Sequence, residues 1–445
     1  MASWPRPAPR NRSPLADRVR FPVQLGYGAL AQLARGAAVI APPGGSKLLR
    51  ALRARRGIRG RYRAWGDTQR DRTRPLLWMH APSVGEGLQA RPVLELARAS
   101  RPDMQLAYTH FSPSAAAFAR ALDVDFRDYL PFDTPGDARA ALDALEPTAL
   151  VYSKLDVWPI LTLTARDRRV RLGMISATMA RASSRRSIGA TAVLRDAYAA
   201  LEVVGAVDDA DADRLVQIGV RSSVISVTGD TRYDQVWEIA QGVERAGALL
   251  APLRASRPTL VAGSTWPADE AALLPAWTTV RAGVPGARLI IAPHEPTPAH
   301  LAPIETWAAR AGLSIARLGD AAAPSADVVL VDRVGVLGQL YALADAAFVG
   351  GGFHDAGLHS VLEPAAFGAP VLFGPRHLTS RDAGLLLLRG GGATAASDAA
   401  IARRLKSWLG DPTARRDAGD SARALVRSGL GAARRSFELV ERLLR

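Results

Sequence analysis

Residues 344–375, ADAAFVGGGFHDAGLHSVLEPAAFGAPVLFGP, constrain the fold more than any other stretch of the chain. Ala346–Val349 is a short apolar run of the kind that forms a buried strand, and it breaks into Gly350-Gly351-Gly352, where missing Cβ atoms let a backbone approach a ligand. A loop with His354, Asp355 and His359 follows. A helix is expected to open near Ser360 and to carry Glu363, Gly368-Ala369-Pro370 ends it, and Val371–Phe373 supplies the next strand. Such a strand–glycine turn–helix–strand unit turns backbone N–H groups and a helix N-terminus toward one crevice, which suits a phosphate or a carboxylate. Taken alone, three glycines after a strand fit a plain tight turn equally well.

The rest of the chain repeats this alternation from Pro75 onward. Apolar strand candidates are Leu76–Ala81, Gln105–Thr109, Phe126–Leu130, Ala149–Ser153 and Arg171–Ser176, with Val203–Val207 and Val224–Val227 weaker. Helical stretches such as Gly87–Ala99, Ser114–Ala121 and Thr191–Ala200 separate them. A second run comprises Thr259–Ala262, Arg288–Ala292, Val328–Val331, Ala346–Val349 and Val371–Phe373. Both runs read as parallel sheets covered by helices, hence an α/β chain of two Rossmann-like domains. The boundaries implied are 1–45 for a tail and membrane-associating segment, 46–240 for the first domain and 241–445 for the second. A ligand cleft is expected between the two domains.

Charge separates the N-terminal segment from the body. Residues 1–75 hold 17 Arg and Lys against 3 Asp, so nearly all of the net charge of +15 lies there. Residues 1–20, with four Pro and five Arg, cannot build a core and are expected to be disordered. Phe21–Pro42 is mostly apolar, but Gln24, Gln32 and Arg35 argue against a clean bilayer crossing, and Gly26, Gly28 and Gly36 weaken it as a helix. Followed by Lys47, Arg50, Arg53, Arg55, Arg56, Arg59, Arg61 and Arg63, it reads as an interfacial, basic membrane-associating arm at a cytoplasmic leaflet. An Arg-rich solvated helix is the alternative. Nucleic acid is a poorer partner, since the arm lacks interleaved aromatics and no reading module follows. No Cys and seven scattered His leave neither a disulfide framework nor a thiolate metal site.

Four further places bear chemistry. His80-Ala81-Pro82-Ser83-Val84-Gly85-Glu86 spans a strand end and a helix start, where a carboxylate is favoured by the helix dipole and can act as a general base. Lys154, in Tyr152-Ser153-Lys154-Leu155-Asp156-Val157-Trp158-Pro159, can pair with an acid, hold an anion or simply be solvated. Arg232, in Gly229-Asp230-Thr231-Arg232, offers a bidentate cation. Ser264 and Thr265 follow a strand and precede a helix, offering hydroxyl and amide donors. Asp209, Asp211 and Asp213 read as an acidic first helical turn in preference to a metal motif.

The chain resembles the 3-deoxy-D-manno-octulosonic acid (Kdo) transferases of lipopolysaccharide synthesis, which have the two-domain GT-B fold. The resemblance rests on His80-Ala81 with Ser83-Val84-Gly85-Glu86, on Val349-Gly350-Gly351, on His359, on Leu362-Glu363-Pro364-Ala365-Ala366-Phe367-Gly368 and on Phe373-Gly374-Pro375. It covers roughly residues 45–430. It implies transfer of Kdo from CMP-Kdo to a lipid A precursor, without a metal or other cofactor, at the cytoplasmic side of the inner membrane.

In that likeness Glu86 is the base on the acceptor hydroxyl, and Arg232, with Lys154, steadies the departing phosphate. Ser83 belongs to the same signature. Ser264, Thr265, Pro293, His294, Val334, Gly335, Val336, Gly351, Gly352, Ser360, Val361, Leu362 and Glu363 stand at substrate- and nucleotide-binding positions, with Glu363 toward the ribose. The pattern departs at Lys154, where an acid is usual, at His294 for Arg, at Val336 for Glu and at Ser360 for Asn. Two other readings stay open: another GT-B transferase or nucleotide-sugar epimerase, and a non-catalytic membrane-associated paralogue.

Overall fold

The computed structural model describes residues 14–42, 46–180, 185, 187–355 and 357–445, with the side chains of 14–22 and 47 excepted. The chain divides into two compact units, residues 1–232 with 431–445, and residues 233–430.

The first unit is built on seven parallel strands: β1 (Leu76–His80), β2 (Gln105–His110), β3 (Phe126–Tyr129), β4 (Ala149–Ser153), β5 (Arg171–Ala177), β6 (Val203–Ala206) and β7 (Ile225–Val227). Their order is β3-β2-β1-β4-β5-β6-β7, so the direction of winding reverses between β1 and β4. Every residue of β1, β2 and β4 is buried, as expected of a sheet covered on both faces. Tyr62, Trp78, Phe126 and Tyr152 pack on one face, and Leu77, Met79, Val151 and Ile175 on the other.

The second unit repeats the plan with β8 (Thr259–Thr265), β9 (Arg288–Pro293), β10 (Ile315–Arg317), β11 (Val328–Leu330), β12 (Ala346–Val349), β13 (Val371–Phe373) and β14 (Gly392–Thr394). These are also parallel, in the order β10-β11-β9-β8-β12-β13-β14, with the reversal between β8 and β12. Twelve strands fall where apolar runs place them. β10 and β14 were not expected: each is three residues long, lies at a sheet edge and is incompletely buried, so neither leaves an apolar run.

Three expectations are corrected. Residues 1–13 of the anticipated disordered tail lie outside the described residues, but residues 14–20 are helical, within α1 (Pro14–Ile40). Gly26, Gly28 and Gly36 do not interrupt α1. The helix is held to the first unit by tertiary contacts, which override propensity. Tyr27 donates to Asp133 Oδ2 at 2.8 Å, Arg35 Nε lies 3.1 Å from Asp137, and Arg56 bonds the carbonyls of Ala38 and Ala41.

α2 (Lys47–Ala54) and α3 (Ile58–Thr68) follow. Here the arginines are not uniformly solvated: Arg55 is 3% exposed. The last correction is the domain boundary. The helix Ala432–Glu441 returns to the first unit, where Phe437, Leu439 and Val440, with Leu443, pack against Leu77, Ile175 and Val203. Sequence position alone assigned it to the second domain.

Candidate active site

The reversal point of the first sheet gathers the groups that follow β1 and β4, as such points do in parallel sheets. After β1, Ser83 is the N-cap of α4 (Val84–Ser100), and Glu86 lies in that helix's first turn. Gly87 lets the helix close on the sheet, since a Cβ there would stand 2.5 Å from Phe118 and 2.8 Å from the Tyr108 hydroxyl. After β4, Lys154 takes a left-handed backbone with φ 64°, and its N–H donates to Ile175 O at 2.8 Å. That conformation brings Lys154 Nζ to 3.2 Å from Glu86 Oε1, while Ser83 Oγ donates to Glu86 Oε2. Ser153 Oγ fixes the Glu86 carbonyl at 2.9 Å.

The Glu86 side chain is 18% exposed and that of Lys154 42%. Burial pushes the Glu86 carboxyl up, but the Ser83 hydrogen bond and the Lys154 charge outweigh it and hold the group below the ordinary glutamate range. The group is therefore ionised at neutral pH, the state a proton acceptor needs.

Behind this pair lies a polar wall. His80 Nδ1 is 3.0 Å from Thr109 O, and its Nε2 is 3.3 Å from Asp156 Oδ2, to which Trp158 Nε1 also donates at 3.0 Å. Burial raises the Asp156 carboxyl, yet its bonds to His80 and Trp158 and the nearby Arg185 bring it below its ordinary value. Asp156 is thus committed to neighbours. It also borders an apolar pocket of about 670 Å³ walled by Val23, Tyr27 and Leu30 of α1 and by Val193 and Leu194.

Arg232 is joined to the same helix through Asp230. Its Nε and Nη2 grip the Asp230 carboxylate at 3.0 and 2.6 Å, and Gln89, one turn beyond Glu86, donates to Asp230 at 3.2 Å. Asp230 and Gln89 carried no signal in isolation; their role emerges only from this pairing.

In the second unit the glycine turn departs from the expected anion cradle. Gly351 N donates to Asp269 Oδ2 at 2.7 Å and Phe353 N to Asp269 Oδ1 at 3.0 Å, so a buried carboxylate of the protein already occupies that position. The glycines are required by the backbone itself: a Cβ on Gly350 would lie 2.1 Å from Ser264 O, and one on Gly352 2.4 Å from Gly374 N. The helix carrying Glu363, Leu362–Ala366, has five residues and starts beyond Ser360 and Val361, so its N-terminal field is weak. Asp269 was missed. Its signal was its place three residues after Trp266, the spacing of an N-terminal capping acid.

The remaining second-unit positions divide between presentation and support. Ser264 has φ 54°, a strained backbone at the end of β8. Thr265 is buried and its hydroxyl donates to Glu270 at 2.8 Å, so it supports the turn. Pro293 ends β9. His294, exposed, stacks on Trp266 at 4.6 Å between ring centroids, and His354 stacks on Trp266 at 4.5 Å. Trp266 Nε1 donates to His359 Nε2 at 3.1 Å.

Val334 is 76% exposed, Gly335 has φ 87°, and Val336 precedes the short helix Leu337–Leu340. Glu363 Oε2 lies 3.9 Å from where a Cβ on Gly338 would stand. Burial pushes the Glu363 carboxyl up to about 7, against a hydrogen bond from Ser360. Asp209 and Asp211 do form the first turn of the helix Asp209–Ile218, with Asp211 accepting from Met179 N at 2.8 Å.

Residues 53–235 match the family described as 3-Deoxy-D-manno-octulosonic-acid transferase (kdotransferase). The chain is 30% identical over 383 residues to a 3-deoxy-D-manno-octulosonic acid transferase of Bordetella pertussis, covering 82% of this chain and 86% of that one. It is 23% identical over 371 residues to the protein of the same name from Haemophilus influenzae, with the same coverage of both chains. Among solved structures, the UDP-GlcNAc 2-epimerase of Neisseria meningitidis bound to UDP-GlcNAc superposes with a TM-score of 0.61 at 14% identity, over 83% of this chain and 99% of that one. That likeness bears on the fold alone. By its 30% identity along most of both chains, the chain belongs to the 3-deoxy-D-manno-octulosonic acid transferase family and is a glycosyltransferase of the GT-B fold.

Proposed function

We propose that the chain transfers Kdo from CMP-Kdo to a hydroxyl of a lipid A precursor, with inversion and without a metal, at the cytoplasmic face of the inner membrane. The observation that carries this reading is the ion pair of Glu86 and Lys154 at the reversal point of the first sheet. Glu86 takes the acceptor hydroxyl proton. The hydroxyl oxygen attacks the anomeric carbon as the bond to the phosphate oxygen breaks, and CMP leaves with that electron pair. Lys154 and Arg232 stabilise the phosphate, as fixed cations suited to charge that develops in the transition state. The second unit binds the cytidine nucleotide, with Glu363 accepting from the ribose.

A lipid acceptor is supported by the apolar pocket beside Asp156 and Trp158, which suits an acyl chain. Membrane association is supported by the outward face of α1. Leu25, Leu30, Leu33, Val39 and Ile40 are 59–81% exposed, and the one charged residue between positions 23 and 40 is Arg35, half-buried against Asp137. No helix among the described residues is long and apolar enough to cross a membrane, which favours surface attachment over a span.

The test is product analysis with CMP-Kdo and a lipid A precursor. The expected result is acceptor enlarged by whole Kdo units, with one CMP released per unit. Turnover of a UDP-sugar in its place, or equal binding of UMP and CMP, would overturn the reading.

A further inference from the structure

A pocket of about 210 Å³ lies where the end of α1 meets the start of α3, and its wall carries four guanidinium groups, from Arg35, Arg55, Arg56 and Arg59, against one carboxylate, Asp137. That carboxylate is already engaged. Its Oδ1 accepts from Arg59 Nε at 2.5 Å, and its Oδ2 accepts from Thr134 Oγ1 at 2.8 Å and lies 3.1 Å from Arg35 Nε. Among the described residues, Arg55 bonds only carbonyls, of Leu130 at 2.8 Å, Ala51 at 2.7 Å and Phe111 at 3.2 Å, while its guanidinium sits 4.1 Å from the Phe111 ring centre. Arg56 likewise bonds the carbonyls of Ala38 and Ala41. Carbonyl dipoles solvate these cations without neutralising them, so the wall keeps a positive excess of three charges at a half-open place. Among the described residues, the terminal nitrogens of Arg35 and Arg59 make no hydrogen bond. α3 adds to the same sign: it starts after Gly57 with no side-chain cap and no acid in its first turn.

We propose that this pocket binds the headgroup phosphate of an anionic bilayer phospholipid. The planar forks of Arg35 and Arg59 match phosphate oxygens. The volume is below the ~300–1,000 Å³ usual for whole-ligand pockets, which suits a headgroup and excludes a sugar nucleotide. The lipid source follows from Val39, which lines the pocket and is 73% exposed, and from Ile40 beside it at 81%. A phosphate held there leaves acyl chains along the apolar outer face of α1 formed by Leu25, Leu30, Leu33, Val39 and Ile40. The proposal takes its lipid from the membrane-association reading but is independent of the Kdo-transfer chemistry.

The test is calorimetry on the full chain with dihexanoyl phosphatidylglycerol below its critical micelle concentration, against dihexanoyl phosphatidylcholine and inorganic phosphate. The wild-type protein is expected to bind the anionic lipid and to prefer it over both controls. Arg35→Gln and Arg59→Gln should each weaken it roughly tenfold, the loss of one charge-assisted contact, while Arg63→Gln, an exposed position on α3 outside the pocket, should not.

Absence of wild-type binding would overturn the proposal whatever the variants do. Equal affinity for inorganic phosphate would remove the lipid, and an equal loss in Arg63→Gln would reduce the effect to bulk charge. A raised acceptor KM for Arg59→Gln in neutral detergent, with phosphatidylglycerol binding intact, would assign the pocket to the acceptor instead. Turnover of CMP-Kdo on the same samples keeps failure here distinct from failure of the transferase reading.

Discussion

Lys154 shows how a departure from the expected residue can be understood at the scale of one side chain. Its left-handed backbone is a conformation that a non-glycine residue holds only when the surroundings fix it, and here the bond to Ile175 O does so. The result is a cation against Glu86. In the Lys154→Met variant, burial would be opposed only by the hydrogen bonds from Ser83 and the backbone, so the Glu86 carboxyl rises and a larger share is protonated in mild acid. The acid limb of kcat/KM should then move to higher pH, with activity in mild acid relative to pH 8 falling below the wild-type ratio. An unmoved limb would separate Lys154 from the ionisation of Glu86.

Glu363 carries the opposite shift, and its sign gives a stability test. Its folded carboxyl titrates at about 7 against an ordinary 4.5. Below 4.5 both folded and unfolded states hold the proton and pH has no effect through this group. Between those values the unfolded chain ionises first, so stability falls as pH rises, and above 7 the cost is constant. Glu363→Gln removes that cost. Its denaturation free energy should gain on wild type between pH 4.5 and 7 and level off above, by on the order of 1–3 kcal/mol. A pH-independent difference in urea melts would show that the Glu363 carboxyl is not held above its ordinary range. The position of Glu363 was legible from sequence, but its raised titration was not, because it comes from packing remote in the chain.

At the scale of elements, the glycine turn was the most readable feature and also the one most in need of correction. Its strand and its close backbone contacts follow from Gly350-Gly351-Gly352, but the partner of its amides, Asp269, lies some eighty residues earlier. Only the pairing of β8 with β12 joins them. A buried carboxylate accepting from Trp266, Gly351 and Phe353 holds the two loops as one piece. Asp269→Asn replaces one acceptor oxygen by an amide that faces backbone donors, so it should destabilise the chain by ~1–3 kcal/mol, read as a lowered urea midpoint with an unchanged slope. No loss would mean the loops are held otherwise.

α1 teaches a similar lesson. Its glycines suggested a weakened helix, whereas Tyr27 and Arg35 meet partners about a hundred residues on, and the Ala38 carbonyl meets Arg56 of the next helical segment. Local propensity could not contain that information.

At the scale of the whole molecule, alternation of short apolar runs with helical stretches was enough for two parallel sheets, since buried parallel strands are written as apolar runs. The strand order, the edge strands and the return of Ala432–Glu441 to the first unit depend on contacts between distant segments and left no local mark. Of the candidate site, Glu86, Lys154 and Arg232 were named through the family resemblance, with strand and helix ends as support, and the structure joins all three to α4 or its immediate neighbours.

The central claim is that this chain is a Kdo transferase whose base is Glu86. The most direct measurement compares wild type and Glu86→Gln for CMP binding and for turnover of CMP-Kdo with a lipid A precursor. The account predicts unchanged CMP binding and turnover lower by ~10²–10⁴-fold, since glutamine keeps the shape but cannot take the proton. Turnover above about a tenth of wild type, well outside that range, would contradict it.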